Sequence, residues 1–168
     1  MTGFHDDALQ IVDFERIPLA EHERYMRLAI EEGRRNLTWP FGAVIVDARG
    51  GEVVARGVNE ASKNPTFHGE IVTLNNFVRD HGNVPLNHAV LYTTAEPCPM
   101  CMSALVWAGL GGIVFGTSLR QLVRFGIGQI MIDAAHVCRQ AGFYRGEVLG
   151  GVLARETDEL FRFRPVGT

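Results

Sequence analysis

Two short segments, Phe67-His68-Gly69-Glu70 and Glu96-Pro97-Cys98-Pro99-Met100-Cys101, constrain this chain more than any other feature. They offer one imidazole, two thiols and, in Glu70, a carboxylate not needed as a ligand. His68 and Cys98 stand far apart in sequence, so a fold that uses them together must bring the chain back to one point. His68, Cys98 and Cys101 supply three ligands to a zinc ion and leave the fourth tetrahedral position open. A structural zinc site closes all four positions, whereas a catalytic one keeps a place for water. A water beside a free carboxylate points to hydrolytic chemistry.

Each spacing has a physical reason. Cys98 and Cys101 are three residues apart, so on the first turn of a helix their sulfurs share a face. Pro97 and Pro99 suit a helix start, where no amide hydrogen is required. The positive end of that helix favours the thiolate that zinc binds. Glu70 lies about 200° around the helix axis from His68, at ~3.6 residues per turn. It can therefore reach past the metal toward water and substrate, as a proton shuttle must. Alone, a Cys-x-x-Cys fits redox chemistry or a structural metal site, and a His-x-Glu says almost nothing. The combined order His-x-Glu…Pro-Cys-x-x-Cys is similar to the signature of zinc nucleobase deaminases.

The rest of the chain supplies an alternating pattern. Residues 1–17 read as an irregular or partly helical arm. Tyr25, Met26, Leu28, Ala29 and Ile30 form an apolar stripe that predicts a helix over 20–36. Phe41 to Val46 is an apolar run bounded by turn signals, hence a buried strand, and Gly50-Gly51 turns it into a partner strand over 52–58. A polar loop over 59–67 leads to a helix from His68 to about Asp80, ended by Gly82. Strands follow over 88–94 and 112–117, on either side of a helix over 100–108 closed by Gly109. Short helices over 119–125 and 133–140, a strand over 147–152 and a helix over 154–163 complete the chain. This order predicts an α/β fold, a three-layer α/β/α arrangement around a mixed five-stranded sheet.

The 168 residues suit one domain spanning 1–168, with 1–17 as its arm. No apolar run is long enough for a membrane span, and the acidic start of the chain is no signal peptide. A cytoplasmic protein with reduced thiols is expected. Cys138, the third cysteine, then reads as a small buried apolar side chain. The net charge of −3 argues against gripping a long phosphate backbone, which usually needs a basic face. A small-molecule partner is favoured over nucleic acid.

Around these motifs, over roughly residues 20–118, the chain resembles the cytidine deaminase-like superfamily. Within it, the likeness is to the group of bacterial guanine deaminases, tRNA adenosine deaminases and yeast-type cytosine deaminases. Pro40 to Val46 and Ala95 to Cys101 look like the first two. Those relatives usually carry Ala between the His and the Glu. Gly69 here, with Ile71, Thr73 and Leu74 and with Leu91-Tyr92-Thr93-Thr94, is similar to the cytosine deaminase version. The resemblance implies zinc held by His68, Cys98 and Cys101, with Glu70 as proton shuttle. It also implies that Asn59 holds the base through its carboxamide, and that Gly42 and Ala43 offer backbone groups to a base carbonyl. Without it, Asn59 reads as a turn residue and Gly42 as a site of close strand packing. Phe41, Phe67 and Trp107 are candidates for packing the ring, and Phe67, adjoining His68, is preferred.

After residue 118 the likeness weakens. Guanine deaminases commonly hold their base with an acid from this part of the chain, yet residues 117–132 contain none. Asp133, Glu156, Asp158 and Glu159 are the nearest options, with a solvated helix face the plainer reading of the last three. The expected activity is zinc-dependent hydrolytic deamination of a free nucleobase, guanine or cytosine type or a close analogue. The alternatives are a tRNA-specific adenosine deaminase and a non-catalytic zinc-binding module. The apolar run Met102 to Trp107 and the resemblance together imply a homodimer.

Overall fold

In the computed structural model, which describes residues 12–165, the first predicted strand forms as β1 (Gly42–Asp47). The glycine turn sends the chain back antiparallel as β2 (Glu52–Val58), with Gly42 opposite Val58. On its other side β1 pairs, again antiparallel, with β3 (Ala89–Ala95). Beyond β3 the pairing turns parallel, through β4 (Gly112–Thr117) to β5 (Glu147–Gly150). The spatial order is β2-β1-β3-β4-β5, the mixed five-stranded sheet the sequence predicts. Every residue of β3 is buried. A central strand covered on both faces has no solvated side, so its sequence reads as an almost unbroken apolar run.

Helices cover both faces. The order is α1 (Leu19–Gly33), α2 (Gly69–His81), α3 (Pro99–Trp107), α4 (Leu119–Arg124), α5 (Ala134–Gln140) and α6 (Ala154–Arg162). Alternation along the strands sorts the core between the two faces. Val44, Val46, Val90 and Tyr92 pack with Tyr25, Met26, Ala29 and Ile30 of α1. Ala43, Ile45 and Leu91 pack with Phe77 of α2 and with Met102 and Leu105 of α3. Burying such side chains contributes about 1.5–3 kcal/mol apiece. A third cluster joins Ala95 to Leu119, Leu122, Ile127 and Phe161, tying α4 and α6 to the end of β3.

Two glycines set how closely layers approach. A Cβ on Gly42 would run into the backbone of Ala29 and Gly33, so α1 lies flat on β1 only because that atom is missing. A Cβ on Gly69 would meet the carbonyl of Phe41, which fixes the start of α2 against the start of β1. Of the expected arm, residues 1–11 fall outside the described residues, and the remainder contains one 3-10 turn, Phe14–Arg16. Cys138 is half-buried and packs at the margin of the core.

Candidate active site

Two helix starts build the site. His68 is the residue before α2 and Cys98 the residue before α3, and both have extended backbone. Each accepts with its carbonyl from the first helical turn, His68 from the Val72 N–H at 2.9 Å and Cys98 from the Met102 N–H at 2.8 Å. Their side chains are thus carried by fixed turns. Pro99 occupies the first position of α3, as its ring allows, and Cys101 sits buried in that first turn. Neighbouring strands β1 and β3 set α2 and α3 side by side, so the two starts converge.

The imidazole Nδ1 of His68 lies 3.6 Å from the Cys98 sulfur. The donor atoms of His68, Cys98 and Cys101 all lie within 4.8 Å of one another. A tetrahedral zinc, with sulfur at about 2.3 Å and nitrogen at about 2.0 Å, sets its ligands about 3.6–3.8 Å apart. The donors need only close in slightly to hold the ion. The chemistry of the sulfurs agrees with a cation between them. Cys98 is drawn down to about 4, first by the adjoining Cys101 thiol and then by His68. Cys101 is pushed up by the Cys98 sulfur and by burial. Two sulfurs holding one proton between them are a place where a divalent cation can take that proton's position.

Glu70, in the first turn of α2, is 3% exposed. Burial raises its carboxyl to about 7, with the Cys98 charge adding to the rise. A carboxyl in that range both accepts and releases a proton at neutral pH. A cavity of about 530 Å³ opens directly onto His68, Glu70 and Cys98. Its remaining walls come from three other stretches. Trp39 and Phe41 precede or begin β1, Asn59 and Ala61 follow β2, and residues 127–130 connect α4 to α5.

Asn59 lines this cavity and is buried. Its Oδ1 also accepts the Ala61 N–H at 3.1 Å, so the turn role and the cavity position hold together, with the amide NH₂ left over. Gly42 and Ala43 do not reach the cavity. The Gly42 N–H donates to Thr94 Oγ1 at 3.1 Å, and the Ala43 carbonyl accepts from Thr73 Oγ1. Both are held inside the sheet and its covering helices. Phe67 also lies outside the lining: its N–H donates to the Asn64 carbonyl and its own carbonyl accepts from Glu60, which closes a loop turn. The aromatic that lines the cavity is Phe41, whose ring centroid lies 4.8 Å from that of Phe161. Trp107 is 78% exposed and pairs with Phe143 elsewhere.

Of the four acids considered after residue 118, none lines the cavity. Asp158 accepts from Thr117 Oγ1 at 2.7 Å, Glu156 lies 3.9 Å from Arg27, and Asp133 precedes α5. The acid that does line it is Glu96, which the sequence reading passed over as part of the cysteine motif. Glu96 is 8% exposed, and both its oxygens are occupied. Oε2 accepts the Leu119 N–H at 3.0 Å and Oε1 the Ala134 N–H at 2.9 Å. One carboxylate therefore holds the starts of α4 and α5, and with them the connection that forms the far wall. The signal available in sequence was an acid beside Pro-Cys; its two partners lie too far downstream to be read.

The chain is similar to known proteins. The family model described as the cytidine and deoxycytidylate deaminase zinc-binding region matches residues 19–117. A guanine deaminase of Bacillus subtilis is 38% identical over 93 residues, 52% of this chain and 58% of its own length. A tRNA-specific adenosine deaminase of Rickettsia bellii is 28% identical over 125 residues, 73% of this chain and 83% of its own. A solved tRNA:A34 deaminase superposes with a TM-score of 0.69 at 27% identity, covering 82% of this chain and 98% of that one. Among the described residues, no helix is long and apolar enough to cross a membrane.

Proposed function

Because the chain belongs to the family of the cytidine and deoxycytidylate deaminase zinc-binding region, we propose that it hydrolytically deaminates a free nucleobase, of guanine or cytosine type or a close analogue. The observation that carries this reading is one cavity onto which His68 and Cys98 of the zinc-ligand triad, the buried Glu70 and Asn59 all open. No Lys or Arg lines that cavity. Zinc held by His68, Cys98 and Cys101 supplies a Lewis acid that brings water toward ionisation near neutral pH. Glu70 carries the protons: it takes one from the attacking water and gives it to the ring nitrogen, then takes the proton left on the added hydroxyl and passes it to the amine, which departs as ammonia while the ring carbonyl forms. Asn59 holds the ring edge through its free NH₂, and Phe41 packs against the ring face. The buried setting keeps bulk water from competing for Glu70.

The test is ammonia release from guanine, cytosine, adenine, isocytosine and their nucleosides by zinc-loaded protein. Glu70→Gln should keep zinc and lose roughly 10²–10⁴ in turnover. Turnover retained in that variant would remove Glu70 from the chemistry.

A second reading, tRNA adenosine deamination, has its own support. The match to the Rickettsia tRNA-specific enzyme runs through most of both chains. It predicts that an anticodon stem-loop is deaminated and bound in a strongly salt-dependent way. At the cavity rim, Arg164 sits over the Trp39 ring at 4.7 Å. With no Lys or Arg on the lining itself, the free-base reading is preferred.

We read residues 1–168 as one such domain. The three free cysteines suit a reducing compartment, so a cytoplasmic role in base salvage is proposed. The exposed Trp107 on α3 supports a homodimer through that face; a monomer in light scattering removes that part.

A further inference from the structure

The polar side chains of the cavity have roles that can be assigned one by one. His68 and Cys98 belong to the metal, and Glu70 to the protons. Glu96 is closed by two backbone amides, at 3.0 and 2.9 Å. Asn59 has one side of its carboxamide taken by Ala61. Two polar groups on the lining are left, the Trp39 indole N–H, which can only donate, and the carboxamide of Gln129, which offers both a donor and an acceptor. Gln129 is half-buried in the connection between α4 and α5, a lone carboxamide in the run Ile127-Gly128-Gln129-Ile130.

The inventory limits what can bind. With no Lys or Arg on the lining, a phosphate group inside the cavity would lack a partner. Glu96 is held in place by one backbone amide on each oxygen and is 8% exposed, and Glu70 carries the protons, so neither carboxylate is positioned freely to bridge two adjacent N–H donors. A carboxamide offers a donor and an acceptor side by side in one plane. Its complement is a ring edge with an N–H next to a C=O, a lactam edge.

Resting on the deaminase reading above, we propose that Gln129 is a specificity-determining residue, and that the site takes an uncharged amino-substituted heteroaromatic ring presenting a lactam edge. The donor and acceptor of Gln129 meet the carbonyl and N–H of that edge. Ile127, buried, and Ile130, largely exposed, line the cavity beside it. A site built to pair a substrate group discriminates strongly against analogues that lack it, because its own polar atoms are left unpaired.

The experiment compares wild type, Gln129→Leu and Gln129→Glu, each with zinc content and thermal midpoint measured first. Wild type should favour cytosine, isocytosine and guanine over adenine and melamine, which present no lactam edge. Gln129→Leu should raise KM for the lactam bases roughly ten-fold or more, with a smaller change in kcat. Gln129→Glu should lose more, because its carboxylate faces the base carbonyl. Uracil, which has the lactam edge but no amine to lose, is the direct-binding probe by calorimetry. It should bind wild type and bind Gln129→Leu at least ten-fold more weakly. That arm stands even where no base is turned over, so the failure of the reaction and the failure of the reader separate. Equal uracil binding by wild type and a folded, zinc-loaded Gln129→Leu overturns the proposal, as does wild type that binds no lactam base.

Discussion

Residues 19–117 and residues 118–165 divide the site between them, and they do so unequally. The first stretch holds the metal donors, Glu70 and Asn59, and it coincides with the match to the deaminase family model. The second contributes residues 127–130 of the cavity wall and, through Phe161, an aromatic packed behind Phe41. The first is anchored by the central strands β1 and β3. The second is anchored at its start by one side chain, Glu96, and by a small cluster around Leu119, Leu122 and Phe161. In the proposed reading, chemistry then sits at helix starts packed on the middle of the sheet, and selection on the connection between two short helices. A site built this way can change what it selects without disturbing how it reacts.

The largest effect that can break this division is loss of a metal donor. His68→Ala should leave two sulfurs beside a buried carboxylate and cost more in metal affinity than the roughly 10–100-fold seen when an outer partner is removed. Zinc content by elemental analysis and ammonia release should fall together. A variant that keeps full zinc would mean the ion is held elsewhere.

Next in size is Gly69→Ala, also in the first region. The added methyl meets the Phe41 carbonyl, so α2 and β1 must separate. Overpacking of this kind costs about 1–3 kcal/mol. Both His68 and Glu70 flank the point of contact, so turnover should fall along with the thermal midpoint. Unchanged stability and turnover would show that the start of α2 yields freely, against its close packing on β1.

Much of this was legible in the sequence, for identifiable reasons. The metal donors were readable because zinc chemistry fixes ligand type and because a helix turn fixes the spacing of Cys98 and Cys101. The strands were readable because Phe41 to Val46 is an apolar run set between turn signals and Leu91 to Thr94 is made of apolar, aromatic and β-branched residues that favour a strand. Phe67, preferred for its place beside His68 in the chain, is not on the cavity lining. Its backbone closes a turn with Glu60 and Asn64, while Phe41 reaches the cavity from the start of β1. Glu96 was unreadable as a strut, since its partners at Leu119 and Ala134 belong to helices whose placement is a tertiary fact. The wall over 127–130 carries no helical or strand period, so no pattern announced it.

Glu96→Gln tests the join between the regions. A carboxamide oxygen can still accept one N–H, but its NH₂ faces the other and leaves it unpaired. Loss of a buried hydrogen bond to a charged group costs about 1.5–3 kcal/mol. Hydrogen exchange should quicken at the Leu119 or Ala134 amide, KM should rise several-fold, and zinc content should hold. A fall in kcat with KM unchanged would mean that Glu96 acts on the chemistry and not on the wall.

The smallest expected effect sharpens the comparison most. Ile130 lines the cavity from the second region, yet it is 63% exposed, so truncation leaves no buried void behind it. Ile130→Ala should therefore change stability by no more than about 0.5 kcal/mol, the usual range for a surface position. What it does remove is apolar area from one flank of the bound ring, worth about 0.8 kcal/mol per buried methylene in the complex. That predicts a KM raised roughly two- to ten-fold for every base in the panel alike, because apolar contact does not tell one ring edge from another. Chemistry happens at Glu70 and the metal, on elements Ile130 does not anchor, so kcat should stay within about two-fold. Steady-state kinetics across the panel separates the possibilities. A uniform KM effect supports a wall that holds, whereas a change confined to kcat would show that the second region reaches the reacting atoms and that the division is false.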